Sequence, residues 1–133
     1  MTCGTRILTN PPRLRRGGKL RIIGYMQYRK FGTLDWKVSA LGFGVMRLPK
    51  IGEEPDQIDE PESIEMIRRS IESGVNYIDT AYPYHGGASE PLVGRALEGG
   101  YRDKVRIATK SPSWLLEKPA DFHRILDEQL ERL

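Results

Sequence analysis

Three residues of types that transfer protons lie at or just after the ends of two segments that are predicted to be buried strands. Asp79 ends the apolar segment 75–79, and Tyr84 lies five positions later. Lys110 ends a second such segment, 104–110. In parallel α/β folds, side chains at the carboxyl ends of neighbouring strands meet at one edge of the sheet. An acid, a phenol and an ammonium delivered to that edge could form a proton-transfer site.

Charge pairing indicates what these three groups could do together. A buried carboxylate and a buried ammonium are each costly unless they pair, and an Asp79–Lys110 pair would satisfy both. An ammonium near a phenol favours the phenolate, so Lys110 would poise Tyr84 as a general acid that suits carbonyl reduction. From spacing alone, Asp79 can equally be a turn former, Tyr84 a loop aromatic and Lys110 a solvated side chain.

The elements before these residues are predicted as a hairpin and a strand. Segments 27–31 and 37–39 flank a turn at 33–36, which is typical of a β-hairpin. The apolar run 40–46 predicts the first buried strand, and its glycines leave room for a backbone or ligand. Residues 47–59 read as a loop.

Three amphipathic helices are predicted to cover the strands. The first is capped by Asp59 or Glu60, has Pro61 in its first turn and ends at Gly74. Its apolar face is formed by Ile64, Ile67 and Ile71.

The second helix is predicted to follow the strand that ends at Asp79, and the third to follow the strand that ends at Lys110. We expect Ser89 to cap the second helix, which ends at Gly99–Gly100, and Pro119 to begin the third. The second helix would bury Leu92, Val93, Ala96 and Leu97. The third would bury Phe122, Ile125, Leu126, Leu130 and Leu133, with Asp127, Glu128, Glu131 and Arg132 facing water.

The order of these elements predicts an α/β fold. Strand ends fall near Met46, Asp79 and Lys110, a repeat of 33 and then 31 residues. Alternating strands and helices favour a parallel sheet with right-handed crossovers, as at the start of a (β/α)8 TIM barrel. A full barrel needs eight units and about 250 residues. We therefore expect a hairpin plus three βα units of an incomplete barrel.

Composition restricts the class of protein. The net charge of +3 comes from residues 1–25, which hold six basic residues and no acid; residues 26–133 hold 15 basic and 18 acidic residues. This body is mildly acidic, so we expect no nucleic-acid partner, and its short apolar runs predict no membrane span. The single cysteine, Cys3, excludes an internal disulfide and favours a cytoplasmic location.

Residues 1–25 show no sustained period, and we expect them to be a poorly ordered leader. One interpretation is an upstream extension placed before the true start at Met26. The alternatives are a targeting segment, which Arg15–Arg16 would suit although no apolar region follows, and a native tail. The folded domain is therefore expected to span residues 26–133.

Other motifs support weaker hypotheses. The segment 42–47 begins like a dinucleotide-binding G-x-G-x-x-G motif, but it ends in Arg47 and precedes a loop, which argues against that function. The glycines of 85–89 precede a helix and could bind an anion, although a plain loop explains them as well. His85 could touch substrate or be a loop histidine, and we expect His123 to be partly exposed. No metal-ligand spacing occurs.

The sequence from Met26 to Leu133 resembles the aldo-keto reductases. The resemblance is carried by segments 28–32, 38–49, 74–81 and 108–110. The run 82–87 with Ser89–Glu90 is most similar to the branch whose full-length members often carry a C-terminal iron–sulfur domain. That cluster would lie in a C-terminal region outside this chain, if it is present at all.

The resemblance implies an NADP(H)-dependent oxidoreductase on a (β/α)8 barrel, acting on a small carbonyl substrate. It assigns Tyr84 as proton donor, Lys110 as the residue that stabilises its phenolate, and Asp79 as the partner of Lys110. It also places Gly44, Val45, Met46, Arg47 and Asp79 beside the cofactor. The family's fourth catalytic residue, a histidine ending the fourth strand, has no counterpart in this chain.

Two hypotheses of function follow. In the first, the chain is the N-terminal portion of a reductase and is inactive without the rest of the barrel. In the second, it is a non-enzymatic α/β module that completes its sheet with a partner or with itself; its oligomeric state is left open. The first hypothesis also predicts exposed apolar sheet edges and hence aggregation.

Overall fold

A computed structural model describes residues 26–133, and the predicted leader at 1–25 lies outside this range. Strands β1 (Tyr28–Lys30) and β2 (Lys37–Ser39) pair antiparallel as the predicted hairpin. Strands β3 (Phe43–Gly44), β4 (Tyr77–Asp79) and β5 (Arg106–Ala108) form a parallel sheet in that order. The predicted sequential parallel order is therefore confirmed.

The first parallel strand is shorter than the predicted segment 40–46. Only Phe43 and Gly44 pair with β4, and Leu41 and Met46 are exposed. The chain bends before the strand, because the hydroxyl of Ser39 donates to the carbonyl of Leu41. The prediction of a buried seven-residue strand was therefore wrong in length, although its position next to β4 was right.

Helix α1 (Glu60–Glu72) connects β3 to β4 and has the predicted ends. The Asp59 side chain accepts a hydrogen bond from the Glu62 amide, and Gly74 follows the helix with a φ of +99°. Ile67 and Ile71 are buried and Ile64 packs against the core. The predicted cap and apolar face are confirmed.

Helix α2 (Ser89–Ala96) connects β4 to β5, but Ser89 does not cap it. The cap position belongs to Ala88, which makes no side-chain bond, and Ser89 is the first helical residue. The Ser89 hydroxyl instead lies 3.0 Å from the Thr80 hydroxyl, both fully buried. Ser89 therefore joins the helix to the end of β4, which outweighs its capping preference.

One core lies between the helices and the parallel sheet. It contains the predicted apolar face of α2 together with side chains from α1, the strands and the loop after β3. Its members are Val45, Leu48, Ile67, Ile71, Val75, Ile78, Leu92, Val93, Ala96, Leu97 and Val105.

Helix α3 (Pro119–Arg132) begins where predicted, but it buries a different face. Ile125 and Gln129 are the buried residues, whereas Phe122, Leu126 and Leu130 are exposed. Polar groups of α3 face the protein because Gln129, Glu128 and Arg132 bond to Thr109 after β5, to Glu90 on α2 and to Tyr82 in the loop after β4. The predicted apolar contact face is therefore wrong for Phe122, Leu126 and Leu130. It is confirmed for Ile125, which is buried, and for Leu133, which is partly buried and packs against the core.

The hairpin packs against the end of the sheet opposite to Asp79 and Lys110. Phe31 and Trp36 pack against Tyr77 at the start of β4, with ring centroids 6.1 and 6.3 Å away. The Asn76 side chain accepts from the Ser39 amide, which fixes the hairpin to β4. Across residues 26–133, every helix is too short or too polar to cross a bilayer.

Candidate active site

The three candidate catalytic residues lie at one edge of the parallel sheet. Gly44, Asp79 and Ala108 are direct neighbours in the register of the three strands. Past this row, the Tyr82 amide donates to the Lys110 carbonyl at 3.1 Å. The ladder thus brings chain segments from distant parts of the sequence to the same level.

Asp79 and Lys110 form an ion pair at this edge. Lys110 Nζ lies 2.8 Å from Asp79 Oδ1 and 2.9 Å from Oδ2, and donates to the Thr80 carbonyl at 2.8 Å. The Lys110 and Asp79 side chains are 50% and 40% exposed, so a ligand above the strand ends can reach them. The ammonium therefore has a fixed position on an open surface.

Tyr84 reaches the same ammonium from the following loop. It begins a 3-10 turn (Tyr84–Gly87), and its amide donates to the Ala81 carbonyl. Tyr84 Oη lies 3.5 Å from Lys110 Nζ, which is 5.1 Å from the ring centroid. The structure thus brings Asp79, Tyr84 and Lys110 together, with Lys110 between the other two.

The surroundings of Lys110 keep it charged. Partial burial by itself lowers the pKa of Lys110, but hydrogen bonding and charge attraction from Asp79, with a smaller contribution from Tyr84, outweigh it. The net result is a Lys110 pKa raised above the ordinary lysine value. At neutral pH the group next to the phenol is therefore an ammonium.

The residues that the resemblance assigns to the cofactor lie near Asp79, Tyr84 and Lys110, and they differ in how exposed they are. A Cβ added at Gly44 would meet no atom within 4 Å, so the space above this glycine is open. Val45 is fully buried in the core, and only its main chain could contribute to a site. Met46 and Arg47 are exposed, and they line a pocket of about 360 Å³ with Leu48, Lys50, Pro55 and His85.

These features fit an anionic dinucleotide cofactor. The open space at Gly44 lies in register with Asp79, where a flat ring could approach the strand ends. Arg47 and Lys50 line the pocket that contains Met46, where their positive charges suit phosphate groups, and Lys50 Nζ also donates to the Glu53 carbonyl at 2.8 Å. The chain therefore offers both an unobstructed ring position and a basic wall.

His85 connects two loop segments in the wall of this pocket. Its Nε2 accepts from the Leu48 amide at 3.2 Å, so its Nδ1 carries the proton and donates to the Pro55 carbonyl at 3.0 Å. The residue also holds a left-handed backbone, with φ of +53°. Both ring nitrogens are occupied, which favours the loop-histidine interpretation over substrate contact.

Two residues at the site were not identified from the sequence. Glu90 was quoted only as part of a family motif, and Gln129 was not considered, yet both are buried beneath Lys110. A polar residue on the apolar stripe of α3 was the signal that could have identified Gln129. His123 is exposed, as predicted, and residues 26–133 contain no group of three His, Cys, Asp or Glu side chains suited to a metal.

The sequence matches the model of a protein family described as "Aldo/keto reductase family" over residues 40–133. A curated relative, "Probable aldo-keto reductase 1" of Glycine max, is 42% identical over 81 residues, which cover 61% of this chain and 23% of that protein. The expectation from the resemblance is thus supported by an independent comparison.

Solved structures give the same result for the fold. The holo form of an aldo-keto reductase from Bacillus halodurans matches with a TM-score of 0.62 and 32% identity, covering 81% of this chain and 36% of that one. An aldo-keto reductase from Klebsiella pneumoniae in complex with NADPH matches with a TM-score of 0.61 and 29% identity, covering 72% and 31%. The predicted partial (β/α) barrel is therefore confirmed, and the chain spans well under half of each of these relatives.

Proposed function

The chain belongs to the aldo/keto reductase family, and from that membership we propose that it forms the N-terminal part of an NADP(H)-dependent oxidoreductase that reduces a small carbonyl substrate. The observation that carries the proposal is the contact of Lys110 with both Asp79 and Tyr84 at the open edge of the sheet. The NADPH complex of the Klebsiella relative supports the choice of cofactor.

Tyr84 is the proton donor in this proposal. Bound NADPH supplies a hydride to the carbonyl carbon, and the Tyr84 hydroxyl gives its proton to the carbonyl oxygen. The products are an alcohol and NADP⁺, and the phenolate left on Tyr84 regains a proton from solvent. The side chain of Tyr84 is partly exposed, which leaves a route for that proton.

Lys110 acts on Tyr84 directly, and Asp79 acts on Tyr84 through Lys110. The ammonium of Lys110 stabilises the phenolate as the proton leaves, because opposite charges attract strongly at a partly desolvated surface. Asp79 keeps Lys110 charged and fixes its direction through two contacts, at 2.8 and 2.9 Å. Without Asp79, the flexible lysine stem could turn into water.

The cofactor would lie along Gly44, Met46, Arg47 and Asp79. Gly44 leaves room for the nicotinamide ring, and Arg47 is exposed where a pyrophosphate could be bound. Val45 would contribute main-chain atoms only, since its side chain is in the core.

We also propose a cytoplasmic location, on the basis of the single cysteine, Cys3.

Complete activity is proposed to need more of the barrel than this chain contains. The chain covers 31% of the Klebsiella enzyme and 36% of the Bacillus enzyme. In a (β/α)8 barrel the site is built from the loops of all eight units. The substrate pocket therefore draws on loops beyond the three βα units described.

NADPH oxidation tests the proposal directly. The natural-length protein is incubated with NADPH and benzaldehyde, and NADPH loss is compared with benzyl alcohol formed. We expect one alcohol for each NADPH consumed, with the reaction lost in Tyr84→Phe and retained in Tyr82→Phe. A Tyr84→Phe protein with full activity would exclude the proton-donor role. No NADPH oxidation with any aldehyde or ketone of a broad panel would overturn the function itself.

A further inference from the structure

A buried polar cluster lies directly beneath Lys110 and has no part in the function proposed above. We propose that Glu90 and Gln129 are positioning residues that hold the main chain at Thr109 and Lys110, and thereby keep the lysine ammonium between Asp79 and Tyr84. This inference rests on the proposed function only for the catalytic role of Lys110. The position of Lys110 can be tested without measuring enzyme activity.

Glu90 is the centre of this cluster. Its side chain is fully buried on the first turn of α2, where an isolated carboxylate would be strongly disfavoured. Three donors converge on it: the Thr109 hydroxyl at 2.5 Å and Gln129 Nε2 at 2.6 Å on Oε1, and Arg132 Nη1 at 3.1 Å on Oε2. The carboxylate thus joins α2, the end of β5 and α3 at one point.

Gln129 extends this junction to Lys110 itself. Its Nε2 lies 3.0 Å from the Thr109 hydroxyl and 3.4 Å from the Lys110 carbonyl oxygen. The same carbonyl accepts from the Tyr82 amide at 3.1 Å. The main chain of Lys110 is therefore held from the helix side by Gln129 and from the sheet side by Tyr82.

This support matters because the β-ladder ends before Lys110. The last paired residue of β5 is Ala108, opposite Asp79, and beyond it the main chain of Lys110 is joined to the neighbouring segment through the bond from the Tyr82 amide. The contact from Lys110 Nζ to Tyr84 Oη is already 3.5 Å long. Any further separation of these two atoms would take the contact beyond hydrogen-bonding distance.

Two substitutions remove the support without touching Asp79, Tyr84 or Lys110. Gln129→Met keeps the length of the side chain and removes its donors. Thr109→Val keeps the shape and removes the hydroxyl, and Thr109→Ser restores the hydroxyl. Val93→Ala is the matched control, because Val93 is fully buried on α2 but belongs to the apolar core.

The experiment uses NMR of the full 133-residue chain and its variants. It measures amide hydrogen exchange of Tyr82, which reports the bond to the Lys110 carbonyl, and the titration of the Lys110 Cε signal from neutral pH to about pH 12. We expect Gln129→Met and Thr109→Val to speed Tyr82 exchange by about tenfold or more. We also expect both to move the Lys110 titration down toward that of an ordinary lysine.

Thr109→Ser should behave like the parent chain in both measurements. Val93→Ala should lower the melting temperature and leave the Lys110 titration unchanged. If Gln129→Met and Thr109→Val lower the melting temperature but leave Tyr82 exchange and the Lys110 titration unaltered, the cluster only stabilises the fold and the proposal is wrong. A Lys110 that titrates as an ordinary lysine in the parent chain would also contradict it. None of these readings depends on NADPH oxidation, so failure here is distinct from failure of the proposed function.

Discussion

Lys110 Nζ lies within 2.9 Å of both carboxylate oxygens of Asp79, although the two residues are 31 positions apart. Parallel pairing of β4 with β5 makes this possible, because the register sets Asp79 opposite Ala108, just before Lys110. The pair then orients the ammonium toward Tyr84.

Replacing Tyr84 by Phe should remove carbonyl reduction and leave NADPH binding unchanged in the natural-length protein. The phenol supplies a proton in the transition state, and losing such a group typically lowers kcat by about 10²–10⁴-fold. Steady-state kinetics and a fluorescence titration with NADPH provide the two measurements. Tyr82→Phe is the control, since the Tyr82 hydroxyl bonds Glu128 instead of Lys110. Equal loss of turnover and binding in Tyr84→Phe would count against the proton-donor role.

The Asp79–Lys110 pair should make stability depend on alkaline pH. Partial burial lowers the pKa of Lys110, but Asp79 reverses this and raises it above the unfolded value of about 10.4. Stability from Lys110 is therefore fully present below the unfolded pKa and is lost as pH rises through the folded pKa. Thermal melts of the parent and Lys110→Met from neutral pH to about pH 12 should converge in that window. In an Asp79→Asn background the convergence should disappear, and its persistence would show that Asp79 is not the cause.

Replacing His85 by Asn should loosen the loop at residues 47–58. Asn tolerates the left-handed backbone at this position but cannot bridge the Leu48 amide and the Pro55 carbonyl. Two lost hydrogen bonds predict a free energy of unfolding lower by about 1–3 kcal/mol. Urea denaturation measures that loss, and limited proteolysis should cut within the loop. His123→Asn, on an exposed part of α3, should change neither result.

Alanine at Gly44 and at Gly94 should have opposite consequences. A Cβ at Gly44 faces open space, so we expect Gly44→Ala to keep its melting temperature but to weaken NADPH binding by the natural-length protein. At Gly94 the added Cβ would overlap the Arg132 carbonyl oxygen, where α3 approaches α2. This overlap should cost about 1–3 kcal/mol and outweigh the helix preference of alanine. Unchanged NADPH affinity in Gly44→Ala would place the cofactor elsewhere.

Alanine substitutions on the two sides of α3 should distinguish the face that packs against the protein from the exposed apolar face. Ile125 is fully buried, and Ile125→Ala should lower the free energy of unfolding by about 2–5 kcal/mol. Leu130 is 69% exposed, so Leu130→Ala should change it by only about 0.5 kcal/mol. Urea denaturation of the 133-residue chain provides both values. A large loss in Leu130→Ala would mean that the apolar stripe is covered in solution.

The sequence by itself determined the local elements and their order. The spacing of Ile64, Ile67 and Ile71, the Asp59 cap and the turn glycines are short-range features, so they predicted α1 and its ends correctly. The alternation of strands with helices predicted the parallel sheet, and parallel pairing then implied that Asp79 and Lys110 would share one edge.

Tertiary structure alone decided which groups face each other across elements. Ser89 lost its predicted capping role because the Thr80 hydroxyl lies beside it, and α3 turned its polar side inward because Glu90 needs the donors of Gln129 and Arg132. Glu90 and Gln129 are 39 positions apart, so no local pattern reveals their contact. The physical reason is that apolar periodicity identifies which residues prefer burial, whereas a buried charge imposes its own partners, and those partners are known only when distant segments have been packed together.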